Sequence, residues 1–99
     1  MWEPSNTVCF LSGCENLTNQ GVGVVCSVFG GVLFDLDVSG CNINDRLMDI
    51  ICQTCPKLRS LDISNCRSLT DKTVLKLTSD VTSLTTLKLD GNPRIETKT

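Results

Sequence analysis

The chain has 99 residues, 40% apolar and 20% charged, which is the composition of one small globular domain. Its formal charge of −2 excludes a general electrostatic attraction to nucleic acid or to an anionic membrane. The first 45 residues hold five acidic and no basic side chains, whereas the rest of the chain holds nine basic and six acidic ones. We therefore expect the two halves of the molecule to carry opposite charge.

The longest uncharged stretch, residues 16–34, contains Thr, Asn, Gln, Ser and several Gly. A membrane-spanning helix needs about 20 mostly apolar residues. This stretch is therefore interpreted as buried core, and we expect no membrane insertion.

A short motif recurs along the chain, with apolar residues eight, five and three positions before a Cys or Asn. These last residues, which we call the repeat origins, lie 27, 25 and 26 residues apart: Cys14, Cys41, Cys66 and Asn92. The period and the pattern L-x-x-L-x-L-x-x-(C/N) are those of a leucine-rich repeat. The first copy is degenerate, because Asn6 and Cys9 stand where later copies have Leu. The sequence predicts one domain, 1–99, with repeats at about 6–30, 31–54, 55–80 and 81–99, the last incomplete.

Each repeat is predicted to form a strand, a turn and a short helix. Alternating apolar residues such as Leu61 and Ile63 indicate a strand with one buried face. An Asp or Asn in the following turn is predicted to be the helix N-cap, at Asn19, at Asn44 or Asp45, and at Asp71. Since no repeat can bury its apolar face alone, the repeats must stack. The predicted fold is an α/β solenoid with a parallel sheet on its concave face and helices on its convex face.

The seven cysteines could be metal ligands, disulfide halves, nucleophiles or packed thiols. Cys and Asn alternate at the repeat origins, which is not expected of a ligand or nucleophile. Both are small and can hydrogen-bond the backbone where a strand ends, so we predict a structural role at Cys14, Cys41, Cys66 and Asn92. The other cysteines, Cys9, Cys26, Cys52 and Cys55, also fall at inward-facing positions. We therefore predict seven unpaired, mostly buried thiols and an intracellular, reducing compartment, most simply the cytoplasm but also compatible with an organelle or a cytoskeletal assembly.

Residues 52–55, CQTC, are a C-x-x-C motif, which can be a redox site or half of a zinc site. The chain has no second C-x-x-C and no His, whereas a structural zinc needs four ligands. The motif lies at the end of a predicted helix rather than at its start, so we favour packed thiols and keep a thiol-redox protein as an alternative. No Tyr, phosphate-binding loop or nucleophile elbow is present. We predict no cofactor, no metal and no enzymatic activity.

Strand residues that alternate with the buried ones form a candidate binding face. Four positions before the origins stand Phe10, Asp37, Asp62 and Lys88, and six positions before them stand Val8, Asp35, Ser60 and Thr86. Neighbouring strands lie about 4.8 Å apart, so Asp37 and Asp62 should be adjacent like charges with Asp35 nearby. We predict that Asp35, Asp37, Asp62, Lys88 and Phe10 bind a protein partner with a basic segment, a solvated acidic face being the alternative. No small-molecule substrate and no nucleic-acid recognition are expected.

The stretch CPKLRSLDISNCRSLTD, residues 55–71, closely resembles the cysteine-containing subclass of leucine-rich repeats. That subclass is familiar from F-box/leucine-rich-repeat proteins and from the antagonist-of-mitotic-exit family, and the resemblance extends over residues 8–95. It implies a right-handed, curved solenoid of the ribonuclease-inhibitor type whose concave sheet binds other proteins. In F-box members it implies substrate recognition for ubiquitin ligation.

Two functions follow from the resemblance. The first is a non-enzymatic interaction or scaffold subunit that docks into a larger assembly. The alternative is the substrate-recognition fragment of a ubiquitin-ligase receptor. There is no room for an F-box before residue 8, and the last repeat ends in GNPRIETKT without a helix. We therefore expect either a fragment of a longer solenoid or a small subunit capped by a partner.

Overall fold

Strands and helices alternate along the chain in the computed structural model, which describes residues 7–95. The strands are β1 Thr7–Phe10, β2 Leu33–Asp37, β3 Ser60–Asp62 and β4 Thr86–Lys88, and the helices are α1 Asn19–Phe29, α2 Arg46–Thr54 and α3 Asp71–Asp80. A 3-10 turn at Gly30–Val32 joins α1 to β2. We call each strand, with the turn and any helix that follows it, a unit. Asn6 and residues 96–99, which the predicted repeats include, lie outside the described residues.

The strands form one parallel sheet in the order β1-β2-β3-β4, so each unit pairs with its neighbours in sequence. The register aligns residues at the same position of the motif: Cys9 with Leu36, Leu36 with Leu61, and Leu61 with Leu87. Leu36 and Leu61 are fully buried against the helices, which contribute Val22, Leu47, Met48, Ile51 and Leu77 to the same core. The predicted α/β repeat fold is confirmed, and the curved solenoid stays a prediction.

The side chain at a repeat origin hydrogen-bonds the backbone of the preceding unit. The acceptor is each time the carbonyl three residues before the preceding origin: Cys41 Sγ donates to Leu11 (3.0 Å), Cys66 Sγ to Val38 (3.3 Å), and Asn92 Nδ2 to Ile63 (2.8 Å). Burial raises the pKa of the Cys41 and Cys66 thiols, so both stay protonated and can donate at neutral pH. These contacts join neighbouring units at the point where strand pairing ends.

Asn92 makes a second contact that a cysteine cannot reproduce. Its Oδ1 accepts the backbone N–H of Cys66 at 2.6 Å, while its Nδ2 donates to Ile63 and to Leu89 (2.9 Å). The side-chain amide of Asn92, which belongs to the fourth unit, therefore closes the turn of the third unit. In the second unit the corresponding turn is closed by a hydrogen bond within its own backbone, because the Cys41 N–H donates to the Val38 carbonyl at 3.1 Å.

The residue just before each origin has a positive φ angle. Its φ values are 77° at Gly13, 72° at Gly40, 58° at Asn65 and 75° at Gly91. Glycine adopts this left-handed conformation without steric cost, and Asn is the side chain that tolerates it best. At Gly91 space is limiting as well, since a Cβ there would lie 2.0 Å from Asn65 Oδ1. Gly, Gly, Asn and Gly at this position of the four repeats are a sequence signal of the turn, and the repeat pattern L-x-x-L-x-L-x-x-(C/N) does not include it.

The predicted helix N-caps Asn19 of α1 and Asp71 of α3 were wrong. Asp45 stands at the N-cap position of α2, but its side chain does not bond the helix. Thr18 and Thr70 precede α1 and α3, and Thr70 Oγ1 accepts the N–H of Lys72 at 3.3 Å. The Asp45 carboxylate instead accepts Thr70 N–H (3.0 Å), Thr70 Oγ1 (2.6 Å) and Thr73 Oγ1 of the next unit. Units are thus joined at their helix starts as well as at their strand ends.

Asn19 and Asn44 repeat this arrangement between the first two units. The Asn19 amide donates through Nδ2 to Asn44 Oδ1, and its Oδ1 accepts the Asn44 N–H at 3.0 Å. The residues read from sequence as caps of their own helices therefore bond the neighbouring unit. Distance along the chain explains the error, because these partners lie 25 residues apart.

The prediction that all cysteines face inward was wrong for Cys14. Cys26, Cys41, Cys55 and Cys66 are buried, Cys9 and Cys52 are half-buried, and Cys14 is exposed. An origin side chain is buried by the preceding unit, and no unit precedes β1 within residues 7–95. The uncharged stretch 16–34 is likewise only partly core, because Val24 and Val28 on α1 are 60% and 66% exposed.

Removing the Cys66 thiol should cost more stability than removing the Cys52 thiol. Cys66→Ala deletes a fully buried side chain and its bond to Val38, and we expect a loss of about 1–3 kcal/mol in the free energy of unfolding. Cys52→Ala trims a half-buried side chain and should cost less. Urea unfolding followed by circular dichroism compares them, and equal losses would contradict the role assigned to the origin.

Asp45 should make stability depend on pH. Burial acts to raise the pKa of Asp45, but the hydrogen bonds from Thr70 and Thr73 outweigh it and hold the pKa below its ordinary value. Ionised Asp45 therefore stabilises the fold above the unfolded pKa of about 4, and this contribution disappears as pH falls through the lower folded value. Asp45→Asn should lose about 1.5–3 kcal/mol at pH 7 and progressively less below pH 4. A difference that stays constant between pH 7 and pH 2 would contradict this.

Candidate protein-binding face of the sheet

The sheet has one face turned away from the helices, which we call the open face. It carries two rows of side chains in register across the strands: Phe10, Asp37, Asp62 and Lys88 in the first, and Val8, Asp35, Ser60 and Thr86 in the second. Phe10 is 68% and Val8 45% exposed, and the three aspartates are half-buried. All five residues predicted from sequence to bind a partner thus lie together on this face.

Asp37 and Asp62 each bind the backbone two residues further on. Asp37 Oδ1 accepts the N–H of Ser39 at 2.9 Å and its hydroxyl at 2.7 Å, and Asp62 Oδ1 accepts the N–H of Ser64 at 3.0 Å. An aspartate bonded in this way forms an Asx turn, which ends a strand. The repeated D-x-S, at 37–39 and 62–64, was the signal for this role, and it was missed because both aspartates were assigned to binding alone.

The turn bonds leave part of each carboxylate for a partner. Asp37 Oδ2, Asp62 Oδ2 and the carboxylate of Asp35 accept no hydrogen bond from any residue between 7 and 95. Asp62 has Asp37 on one side in the register and Lys88 on the other. Within the described part of the chain no ion pair joins Lys88 to Asp62. The open face therefore changes from apolar on β1, through acidic on β2 and β3, to basic on β4.

An aromatic contact lies beside this face and had no periodic signal in the sequence. The guanidinium of Arg59 stands 5.1 Å from the ring centre of Phe34, a cation–π distance. The Arg59 N–H also donates to the Phe34 carbonyl at 2.8 Å, so backbone and side chain join the same two residues. The pair places a positive charge directly before the start of β3.

Cys55 of the C-x-x-C motif is buried just after α2, and Cys52 is half-buried within it. Among residues 7–95, no group of three or more His, Cys, Asp or Glu is placed to hold a metal ion. None of the described helices is long and apolar enough to cross a membrane.

Residues 54–77 match the family model described as Leucine Rich repeat. The matched segment contains β3, the origin Cys66 and most of α3, which is one unit of the sheet. Leucine-rich repeats generally mediate protein–protein interaction and are typically non-catalytic. The match supports the leucine-rich-repeat interpretation and a protein-binding role. It does not distinguish F-box or antagonist-of-mitotic-exit proteins from other leucine-rich-repeat proteins.

Substitutions at Asp37 can distinguish its structural role in the turn from the effect of its charge. Asp37→Ala removes the acceptor for Ser39 and should cost about 1 kcal/mol in the free energy of unfolding. Asp37→Asn keeps an oxygen acceptor and removes one of two adjacent like charges, so its stability should stay close to that of the original protein. Asp35→Ala is the matched control, since it removes a carboxylate that makes no hydrogen bond to the described residues, and it should change stability by less than about 0.5 kcal/mol. Urea unfolding measures all three. An Asp35→Ala loss as large as that of Asp37→Ala would argue against the turn.

Proposed function

We propose that the protein is a non-enzymatic interaction subunit that docks a protein partner on the open face of its sheet. One observation carries the proposal, namely that Asp35, Asp37 and Asp62 lie on two adjacent strands and that each has at least one carboxylate oxygen that accepts no bond from residues 7–95. Such a cluster favours a ligand that supplies positive charge and hydrogen-bond donors.

The partner segment should match the order of chemistry across the strands. Adjacent strands are separated by about 4.8 Å, so the first row extends over about 14 Å from Phe10 to Lys88. A segment crossing it would place an apolar side chain at Phe10 and Lys or Arg at the aspartates. An acidic or polar group would then face Lys88. Partly exposed charges are screened over about 8–10 Å at physiological ionic strength, so binding should weaken as salt increases.

The predicted compartment and the predicted pathway stay proposals. Seven free cysteines, four of them buried, support an intracellular, reducing environment. The alternative function, substrate recognition for ubiquitin ligation, is supported by the resemblance of residues 55–71 to F-box/leucine-rich-repeat proteins. It uses the same open face and differs in what accompanies the chain, because a receptor would be recovered together with a ubiquitin-ligase core.

A photo-crosslinking residue at single positions tests which surface binds. Ser60 and Thr86 lie on the open face, whereas Gln53 is exposed on α2 and serves as the control position. We expect the same partner to be captured in cells from positions 60 and 86 and not from position 53. Capture from position 53 alone would move the binding surface to the helices.

Charge reversal provides the quantitative test on the captured partner. Asp35→Lys inverts a charge at the open face, and Asp49→Lys makes the same change on α2, where Asp49 is exposed and 3.7 Å from Lys76. Since like-charge contacts cost affinity, Asp35→Lys should weaken binding about tenfold or more and Asp49→Lys little. Equal effects of the two variants would show that net charge, not the open face, controls binding.

A further inference from the structure

Every junction, meaning the contact between one unit and the next, carries the same pair of backbone hydrogen bonds where the strands end. The N–H three residues before an origin donates to the next strand, as Val38 does to Asp62 at 3.0 Å. The N–H one residue before an origin donates to the next turn, as Gly40 does to Ser64 at 2.9 Å. Both bonds recur at the other two junctions, from Leu11 to Asp37, Gly13 to Ser39, Ile63 to Lys88 and Asn65 to Asp90. The side chain of the next origin adds a third bond in the opposite direction.

The fourth unit carries the same groups on the outer edge of β4. The N–H groups of Leu89 and Gly91 stand three residues and one residue before the origin Asn92, and they donate to no residue between 7 and 95. The Leu89 carbonyl, which a further origin would reach, accepts only the Asn92 side chain from that range. Leu87 is half-buried, whereas Leu61 at the same position of the third unit is fully buried. Within the described part of the chain, this edge is therefore half of a junction.

The first unit carries the matching half on the outer edge of β1. Phe10 and Ser12 hold the positions of the two acceptor carbonyls, and Cys14 holds the position of the origin donor. The Cys14 thiol is exposed and donates to no described residue, whereas the Cys41 and Cys66 thiols are buried and donate to the unit before. Among residues 7–95, β1 is paired with β2 alone. One edge of the sheet thus offers the groups that the other edge lacks.

Charge is complementary between the two edges as well. Residues 7–32 contain Glu15 as their single charged side chain, whereas residues 81–95 contain Lys88, Arg94 and Asp90 and so carry a net charge of +1. Continuing the first row by one strand would place Phe10 of one molecule about 4.8 Å from Lys88 of another, which is a cation–π distance. Phe10 is 68% exposed, and no ion pair within the described residues involves Lys88. The two side chains are therefore available to each other.

We propose that a second copy of this chain docks on β4 through its β1, which adds a parallel strand to the sheet. Leu89 N–H donates to the Phe10 carbonyl of the second copy, and Gly91 N–H donates to its Ser12 carbonyl. The Cys14 thiol of the second copy donates to the Leu89 carbonyl. Because the contact joins unlike edges, each added copy presents a new β4, and copies add one after another. The contact does not depend on partner binding at the open face, which it extends from copy to copy.

Sedimentation velocity of the whole chain at increasing concentration tests the contact. A reductant in the buffer excludes disulfides through the exposed Cys14. We expect dimers and then longer oligomers as the concentration rises. A chain that stays monomeric would overturn the proposal and assign the β4 edge to a different protein. A chain that stops at the dimer would overturn it too, because a contact between unlike edges leaves a further edge free.

The origin donor gives a variant that leaves the single molecule intact. Cys14→Ala removes one hydrogen bond of the contact and, since Cys14 is exposed, no buried group of the monomer. We expect association to weaken about threefold to tenfold. Cys14→Asn should associate like the original chain, because Asn92 donates from the same position through Nδ2. Equal weakening by Ala and Asn would contradict the assigned bond.

A mixture of two charge variants tests which residues face each other. Lys88→Glu and Phe10→Lys should each weaken self-association about fivefold or more, the first by removing the cation and the second by opposing two cations. The mixture should associate again, because the new acidic and basic side chains meet at the contact. Lys57→Glu makes the same charge change at an exposed position of the third unit and should leave association unchanged. A mixture that stays monomeric, or a Lys57→Glu chain as weak as Lys88→Glu, would refute the contact.

Discussion

The structure depends on one recurring contact, in which the side chain at a repeat origin donates a hydrogen bond to a backbone carbonyl of the preceding unit. At Cys41, Cys66 and Asn92 the donor reaches the carbonyl three residues before the previous origin. The strands end just before this point, and the chain turns through a residue with positive φ. The carbonyls of Leu11 and Val38 also accept an N–H from the origin of their own unit, so the side chain of the next origin adds a second bond that comes from the neighbouring unit. Only a short side chain with a donor fits between two tightly turning backbones, which explains why both Cys and Asn occur at this position.

A second set of contacts, at the helix starts, fixes how one unit is oriented on the next. Asp45 accepts three hydrogen bonds from Thr70 and Thr73, and Asn19 and Asn44 bond each other in the unit before. A single line of contacts at the strand ends would leave the units free to rotate about it. Contacts at both ends of the turn between strand and helix remove that freedom. The strands are therefore held in a register that aligns equivalent residues of successive units across the open face.

The periodicity of the sequence motif was enough to predict the order of strands and helices, most of the inward-facing residues and the two rows of the open face. It was not enough to predict which residue a side chain meets in the next unit. Asp45 was predicted to be the cap of its own helix, because that reading uses a neighbour in sequence. Its actual partner, Thr70, lies 25 residues away. Contacts between units depend on the rise and tilt of the stack, and a one-dimensional pattern does not contain these quantities. Cys14 was misplaced for a related reason, because its burial would require a preceding unit.

The two rows of the open face are under different physical constraints, and this bears on where binding specificity resides. Asp37 and Asp62 end their strands by accepting N–H groups two residues on, so the fold restricts these positions to side chains that can form the turn. Asp35, Ser60 and Thr86, six residues before their origins, have no such bond among the described residues and are limited only by pleat and exposure. A change there alters the surface without altering the strand end. Under the proposed function, recognition of a particular partner is therefore best carried by the second row, while the aspartates of the first row supply charge that the turns already require.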